Sequence, residues 1–158
     1  MAGQQTLKTT SWLRKSFETA KLLYAEFVKL NTMLTELFTN HTVTYYIPTH
    51  ASRTAYNVFI AKRGYTVVGV DFVPDVAQGA TLTATVVKVT GTSAPSAGTT
   101  PLHSGTLNCN GTANTVQTAT LTTTSADLVL ESGNRIGVVL SGALSTGAGL
   151  LVINMKKT

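Results

Sequence analysis

The sequence predicts a mainly β protein with one long N-terminal α-helix. The β part reads as an antiparallel sandwich or jelly roll of about eight short strands. Three observations lead there. Residues 12–38 contain neither Gly nor Pro, and their apolar side chains recur with helical spacing. From about residue 40 the composition turns to Thr, Val and Gly, and the apolar period falls towards two. Beyond that point, runs of strand-forming residues are separated by turn residues at regular spacing, the pattern of a sandwich.

The chain has 158 residues, 43% of them hydrophobic, which is enough for one domain with a packed core. Only 12% are charged, well below the usual quarter or so. A surface of Thr, Ser, Asn and Gly suits an assembled protein or one exposed to harsh solvent. The net charge is +5, yet the basic residues before position 40 are offset by Glu18, Glu26 and Glu36, so no nucleic-acid arm stands out. Cys109 is the single cysteine, which excludes an intrachain disulfide. Residues 1–10 are polar, without the apolar core of a signal peptide, and the expected folding compartment is a reducing cytoplasm. The glycosylation sequons at Asn40 and Asn110 carry no weight there.

Taken in order, residues 1–10 read as a flexible polar leader, and Ser11 as the N-cap of the helix. Along that helix Leu13, Phe17, Ala20, Tyr24, Phe27, Asn31, Leu34 and Phe38 follow alternating steps of four and three. Such spacing is a heptad seam, with Phe17, Tyr24, Asn31 and Phe38 in one position and Leu13, Ala20, Phe27 and Leu34 in the other. Leu23, Leu30 and Leu37 flank the seam and widen it. At 1.5 Å per residue the helix would be roughly 40 Å long. It either lies on its own β-domain or packs between chains. Asn31 favours the second, because a buried Asn at a seam position fixes register and oligomer state. The expected organisation is therefore a leader and helix over 1–40, used for assembly or docking, and a β-domain over 41–158.

Residues 40–42 are expected to break the helix. Residues 43–47 read as a strand stopped by Pro48. Runs 54–61 and 65–72 read as a hairpin across 62–64. Residues 74–79 read as a turn. In 80–90, Leu82, Ala84 and Val86 share one parity and Thr81, Thr83 and Thr85 the other. Residues 91–101 read as a loop, mobile or partner-contacting. Runs 102–107 and 115–121 read as strands around an Asn/Gly turn, and 127–130 as a short strand. The stretch 135–155, RIGVVLSGALSTGAGLLVINM, is the most apolar of the β part. It reads as two central strands joined by a Gly/Ser/Thr turn. Ile136, Val138 and Leu140 share one parity, while Leu150, Val152 and Met155 belong to the second run.

The run 126–157, ADLVLESGNRIGVVLSGALSTGAGLLVINMKK, resembles the end of jelly-roll virion proteins of tailed bacteriophages. A polar turn leads there into a step that stands here as Gly133, Asn134, Arg135, Ile136 and Gly137. An apolar strand, a small-residue turn and a last apolar strand follow. The run 65–74, YTVVGVDFVP, is similar to an early strand of the same domains, and the likeness extends over 51–157. It implies a TNF-like jelly roll, a homotrimer, and a place on the phage head as a decoration, cement or head-fibre protein. The implied partner is the major capsid protein or another virion protein. The implied location is the outer surface of the head, after assembly in the host bacterial cytoplasm. The helix departs from the pattern and would suit head attachment. The alternative within the same likeness is a fibre or tip module that binds a host-surface glycan.

Residues able to carry chemistry are sparse. His41, His50 and His103 are far apart, and none forms a zinc motif with Cys109. They read as loop histidines or as satisfied ones. Asp71 and Asp75 could share a cation but read more simply as turn residues. Cys109 has no base beside it in sequence and reads as a buried thiol. Asp127 and Glu131 are a weak match to paired glycosidase carboxylates. The glycines of 142–149 precede no helix, so a phosphate loop is unsupported. Tyr45, Tyr46, Tyr56, Phe59 and Tyr65, near Arg53, Lys62 and Arg63, could form a sugar or nucleic-acid face. The ordinary reading is a core and interface cluster. No enzyme activity, cofactor, metal, membrane span or specific nucleic acid is expected.

Overall fold

The computed structural model describes residues 3–48, 54–75, 81–97, 100–144 and 148–158; within the N-terminal helix it describes the side chains of residues 13–36 and 39. The chain divides into two compact units, Met1–Phe38 and Thr39–Thr158.

The first unit is helix α1, Gly3–Thr39. It begins well before Ser11, so the expected leader is helical from Gly3 onward. Polar residues such as Gln4, Gln5 and Lys8 are adequate helix formers, and nothing in 3–11 interrupts the backbone hydrogen bonds. Glu18 pairs with Lys21 at 3.4 Å and Glu26 with Lys29 at 2.8 Å along the helix. Both are exposed i,i+3 pairs, worth a few tenths of a kcal/mol, roughly 0.2–0.5 each.

Among its described residues the second unit carries ten strand segments and a one-turn helix. They are β1 Asn40–Ile47, β2 Ala55–Ile60, β3 Tyr65–Pro74, β4 Leu82–Val89, β5 Thr100–Pro101, β6 Leu107–Asn108, β7 Gln117–Thr118, α2 Ser125–Leu128, β8 Val129–Leu130, β9 Arg135–Gly142 and β10 Gly149–Lys157. One sheet runs β1-β10-β3, with β7 and β8 both on the far edge of β3. The other runs β2-β9-β4, with β5 and β6 both on the far edge of β4. Every pairing is antiparallel. Counting β5 with β6, and β7 with β8, as broken strands gives eight lanes. The result is a jelly-roll β-sandwich.

The two most apolar strands are both central, as expected, but they lie in opposite sheets. Ile136, Val138 and Leu140 of β9 face Leu151, Ile153 and Met155 of β10 across one core, with Val67, Val70, Phe72, Leu82, Ala84, Val86 and Leu130. The inward parity of β10 is therefore 151-153-155. Leu150 is exposed and Val152 half-buried, against their expected place in the apolar run.

The expected hairpin of 54–61 with 65–72 does not form. β2 pairs with β9 in one sheet and β3 pairs with β10 in the other. The link between them is bound elsewhere: the Ala61 amide donates to Asn134 O at 2.8 Å, and Ala61 O accepts from the Gly133 amide at 2.8 Å. A buried residue whose backbone is satisfied by a distant turn has no need of a hairpin partner. Other boundaries moved for similar reasons. Residues 40–42 begin β1 directly, since Asn40, His41 and Thr42 all find partners on β10. In 127–130 only Val129 and Leu130 are strand, because 125–128 form the turn of α2. The expected strands 102–107 and 115–121 shrink to β6, β7 and a single bridge between His103 and Leu121.

Candidate docking surfaces

On α1 the seam residues Leu13, Phe17, Tyr24, Phe27 and Leu34 are all exposed, with Phe17 at 68%, Tyr24 at 71% and Phe27 at 66%. Ala20 and Asn31 share that exposure. The flanking Leu23 and Leu30 are exposed too. The side chains of Leu37 and Phe38 fall outside the described residues. Sequence reasoning missed Leu22 and Met33, which are equally exposed but off the seam. Counting apolar residues around all seven heptad positions would have found them.

The sandwich presents two unlike outer faces. On the β4–β9 sheet the outward Val87 and Val89 are buried. Their cover is the loop after β4, where Pro95 is itself buried. Arg135 fastens this loop, donating from Nη2 to Gly91 O at 2.9 Å and to Ser93 O at 2.7 Å. Gly137 makes room for it: a Cβ there would stand 2.7 Å from Cβ of Pro95. The loop is thus a folded cover over residues 91–97, held by the chain's own contacts where the sequence offers a mobile segment as one reading. Gly133, with φ at +92°, turns the chain into this arrangement. The Gly-Asn-Arg-Ile-Gly step therefore has a physical account, as a turn, a clasp, a core residue and a close approach.

On the outer face of the β1–β10–β3 sheet no covering loop lies among the described residues of this unit. Tyr46, Val68 and Leu150 are exposed on it. Tyr46 pairs with Leu150, and Leu150 with Val73, so Tyr46, Leu150 and Val73 stand side by side, while Val68 lies at the bulge opposite Asn154 and Met155. Next to them a polar chain crosses four strands. Thr42 donates to Asn154 Oδ1 at 3.0 Å, Asn154 Nδ2 reaches Asp71 Oδ2 at 3.5 Å, and Thr118 donates to Asp71 Oδ1 at 2.7 Å. Asp71 is thus a strand residue engaged by two side chains. Asp75 is instead bonded to Tyr46, which raises the tyrosine's pKa above its ordinary value. The two carboxylates face different partners. No cluster of three or more potential metal ligands occurs among the described residues.

The aromatic residues split. Tyr45, Tyr56, Phe59 and Tyr65 pack against the core. Tyr45 meets Tyr56 at 5.9 Å between ring centroids, and Phe59 meets Tyr65 edge-on at 5.6 Å. His41 leans on both Phe59 and Tyr65 at 5.5 Å. They close the sandwich at its β1 and β2 edges. Tyr46 alone of the five turns outward as an exposed side chain. Arg53 and His50 lie outside the described residues.

His103 is buried and acts as a structural acceptor. Its Nε2 takes the Val86 amide at 2.9 Å, replacing a ladder carbonyl on the broken edge of β4, while Nδ1 lies 3.4 Å from Ser104 O. Desolvation lowers its pKa, the Ser104 contact opposing in part. Cys109 is buried, and the same desolvation pushes its thiol up to about 12, so it is no nucleophile. Among the described residues no helix is long and apolar enough to cross a membrane.

Comparison with solved structures finds a fold like this one in a bacteriophage capsid structure. A chain of the acidic stable capsid structure of Helicobacter pylori bacteriophage KHP30 superposes with a TM-score of 0.52 at 14% identity, covering 75% of this chain and 87% of that one. A chain of the cyanophage Pam1 capsid asymmetric unit follows at 0.47 and 16% identity, covering 75% and 84%. The infectious bursal disease virus Gx strain structure matches at 0.34 and 16%, covering 73% and 32%. No family model matches the chain. No curated protein is similar to it in sequence.

Proposed function

We propose that this chain is a non-enzymatic structural protein of a tailed-phage virion, a trimeric decoration, cement or head-fibre protein. It binds the outer surface of the head shell and stabilises it by joining neighbouring major capsid subunits. The observation that carries this reading is a capsid-type jelly roll that matches a KHP30 capsid chain over three-quarters of this sequence. A long helix rich in exposed apolar side chains precedes that jelly roll. Leu13, Phe17, Ala20, Tyr24, Phe27, Asn31, Leu34 and Phe38 form the assembly and docking element. Three linked weak contacts hold a subunit on a shell far better than one. The sparse charge and Thr-rich surface suit a protein that works in an assembled particle.

Adding the purified protein to heads that lack it tests the proposal, with bound copies counted by cryo-electron microscopy. Saturable binding at many symmetric positions, with raised resistance of the heads to heat, is expected. Few copies confined to a tail or fibre end would replace this reading with the glycan-binding tip. Failure of Phe27→Asp to alter either trimerisation or head binding would remove the helix from the interface.

A further inference from the structure

We propose that α1 associates with copies of itself in parallel and in register, and that Asn31 is the residue that sets the register. The inference rests on the trimeric reading above and names the partner of the helix seam. Three features argue for a second copy as the occupant.

The first is area. An aromatic side chain offers about 150–250 Å² for burial. Phe17, Tyr24 and Phe27 are about two-thirds exposed. With Leu13, Leu23, Leu30 and Leu34 they present on the order of 700 Å² per chain, close to one side of a stable interface at about 800 Å².

The second is polarity. Asn31 is the one polar residue of the seam between Leu13 and Leu34. Its amide carries donors and an acceptor, so identical copies satisfy one another when they meet. A parallel, in-register bundle sets Asn31 against Asn31. An antiparallel bundle centred on the seam sets it against Ala20, leaving a buried amide unpaired. A slip of one heptad sets it against Tyr24 or Phe38.

The third is the disposition of charge. Glu18 pairs with Lys21, and Glu26 with Lys29, within the helix. None of these four occupies a seam position. Lys21 Nζ lies 5.7 Å from the centre of the Phe17 ring, so its stem already runs along the seam margin. The width of the face, with Leu23 and Leu30 beside the seam, exceeds what a two-stranded coil covers and suits three strands.

Single cysteines in the full-length chain test the arrangement, since Cys109 is buried and stays out of the reaction. Leu34→Cys and Ala20→Cys should each give self-linked dimers under mild oxidation. The pair Phe17→Cys with Leu34→Cys, mixed from two singly substituted proteins, should give no hetero-linked product above the self-linked background. Asn31→Val should raise the melting temperature of the helix signal and broaden a single trimeric mass into several, as read by sedimentation velocity. A wild-type trimer in which neither Leu34→Cys nor Ala20→Cys links to itself overturns the parallel helix bundle and leaves the trimer proposal standing. A monomeric wild-type chain overturns both. A single unchanged mass for Asn31→Val overturns the role of Asn31.

Discussion

The two outer faces of the sandwich differ more than the two sheets that make them. Each sheet has three long strands and a fourth lane broken into fragments. Yet outward Val87 and Val89 are buried on one face, while Tyr46, Val68 and Leu150 are exposed on the other. The cause is one loop. Residues 91–97 fold over the β4–β9 sheet, and Arg135 holds them by two backbone carbonyls. The β1–β10–β3 sheet has no such cover among the described residues, and the Thr42–Asn154–Asp71–Thr118 chain laces its strands instead. One face is therefore covered by the chain's own loop, while the described residues of this unit leave Tyr46, Val68 and Leu150 exposed on the other.

Filling the space under the loop should have the largest effect. Gly137→Leu puts side-chain atoms where Pro95 sits. Urea denaturation should show a loss of about 1–3 kcal/mol, the usual cost of overpacking. Limited proteolysis should open a new site within 91–97. An unchanged stability with a protected loop would mean that the cover is not held against Gly137.

Next in size is the clasp. Arg135→Met keeps much of the stem but removes the donors to Gly91 O, Ser93 O and Asn57 Oδ1. Part of this network is open to water, so the expected loss is about 1–2 kcal/mol. Hydrogen exchange should quicken across 91–97 and stay unchanged in β10. Equal quickening in both would show that Arg135 supports the whole sandwich and not the one face.

A third test concerns the broken edge of the covered sheet. His103 accepts the Val86 amide only as a neutral ring. Its folded pKa is lowered from the ordinary 6.5. Between the folded and unfolded values the unfolded chain binds more protons, so stability rises with pH there. The contribution is complete above about pH 6.5 and is lost as pH falls towards the lowered value. The wild type should lose thermal midpoint as pH falls below about 6.5, and His103→Gln should lose less over the same fall. Parallel pH profiles for the two proteins would show that His103 does not titrate with unfolding.

The smallest effect belongs to the face that carries Leu150. Leu150→Lys should change the stability of the isolated chain by no more than about 0.5 kcal/mol, as for an ordinary surface site. A loss as large as that of Gly137→Leu would show that Leu150 is covered in the protein as it exists in solution.

Much of this fold was readable in the chain itself. The helix follows from an uninterrupted helical period, and Leu82, Ala84 and Val86 face inward because alternation is a property of the strand backbone. Cys109 could be read as an inert thiol, since no base lies near it in sequence. What failed was assignment to a sheet. Residues 54–61 and 65–72, with three residues between them, look locally like a hairpin. The Ala61 backbone is instead bound by Gly133 and Asn134, some seventy positions away. The cover over Val87 and Val89 was illegible for the same reason. The loop 91–101 has the composition of a mobile segment, and only Arg135 and Gly137, brought alongside by pairing of β4 with β9, fix its first part.

By itself the sequence determined that 12–38 is helical, that the stretches of β3, β4, β9 and β10 are extended, and which parity of β4 and β9 is apolar, because these depend on neighbours within a few positions. Tertiary structure alone decided which strands share a sheet, which outer face is closed, and that His103 stands in for a strand carbonyl. Those outcomes depend on contacts between residues far apart in the chain. Local periodicity carries no record of such contacts, and they exist only once the two sheets have closed on one core.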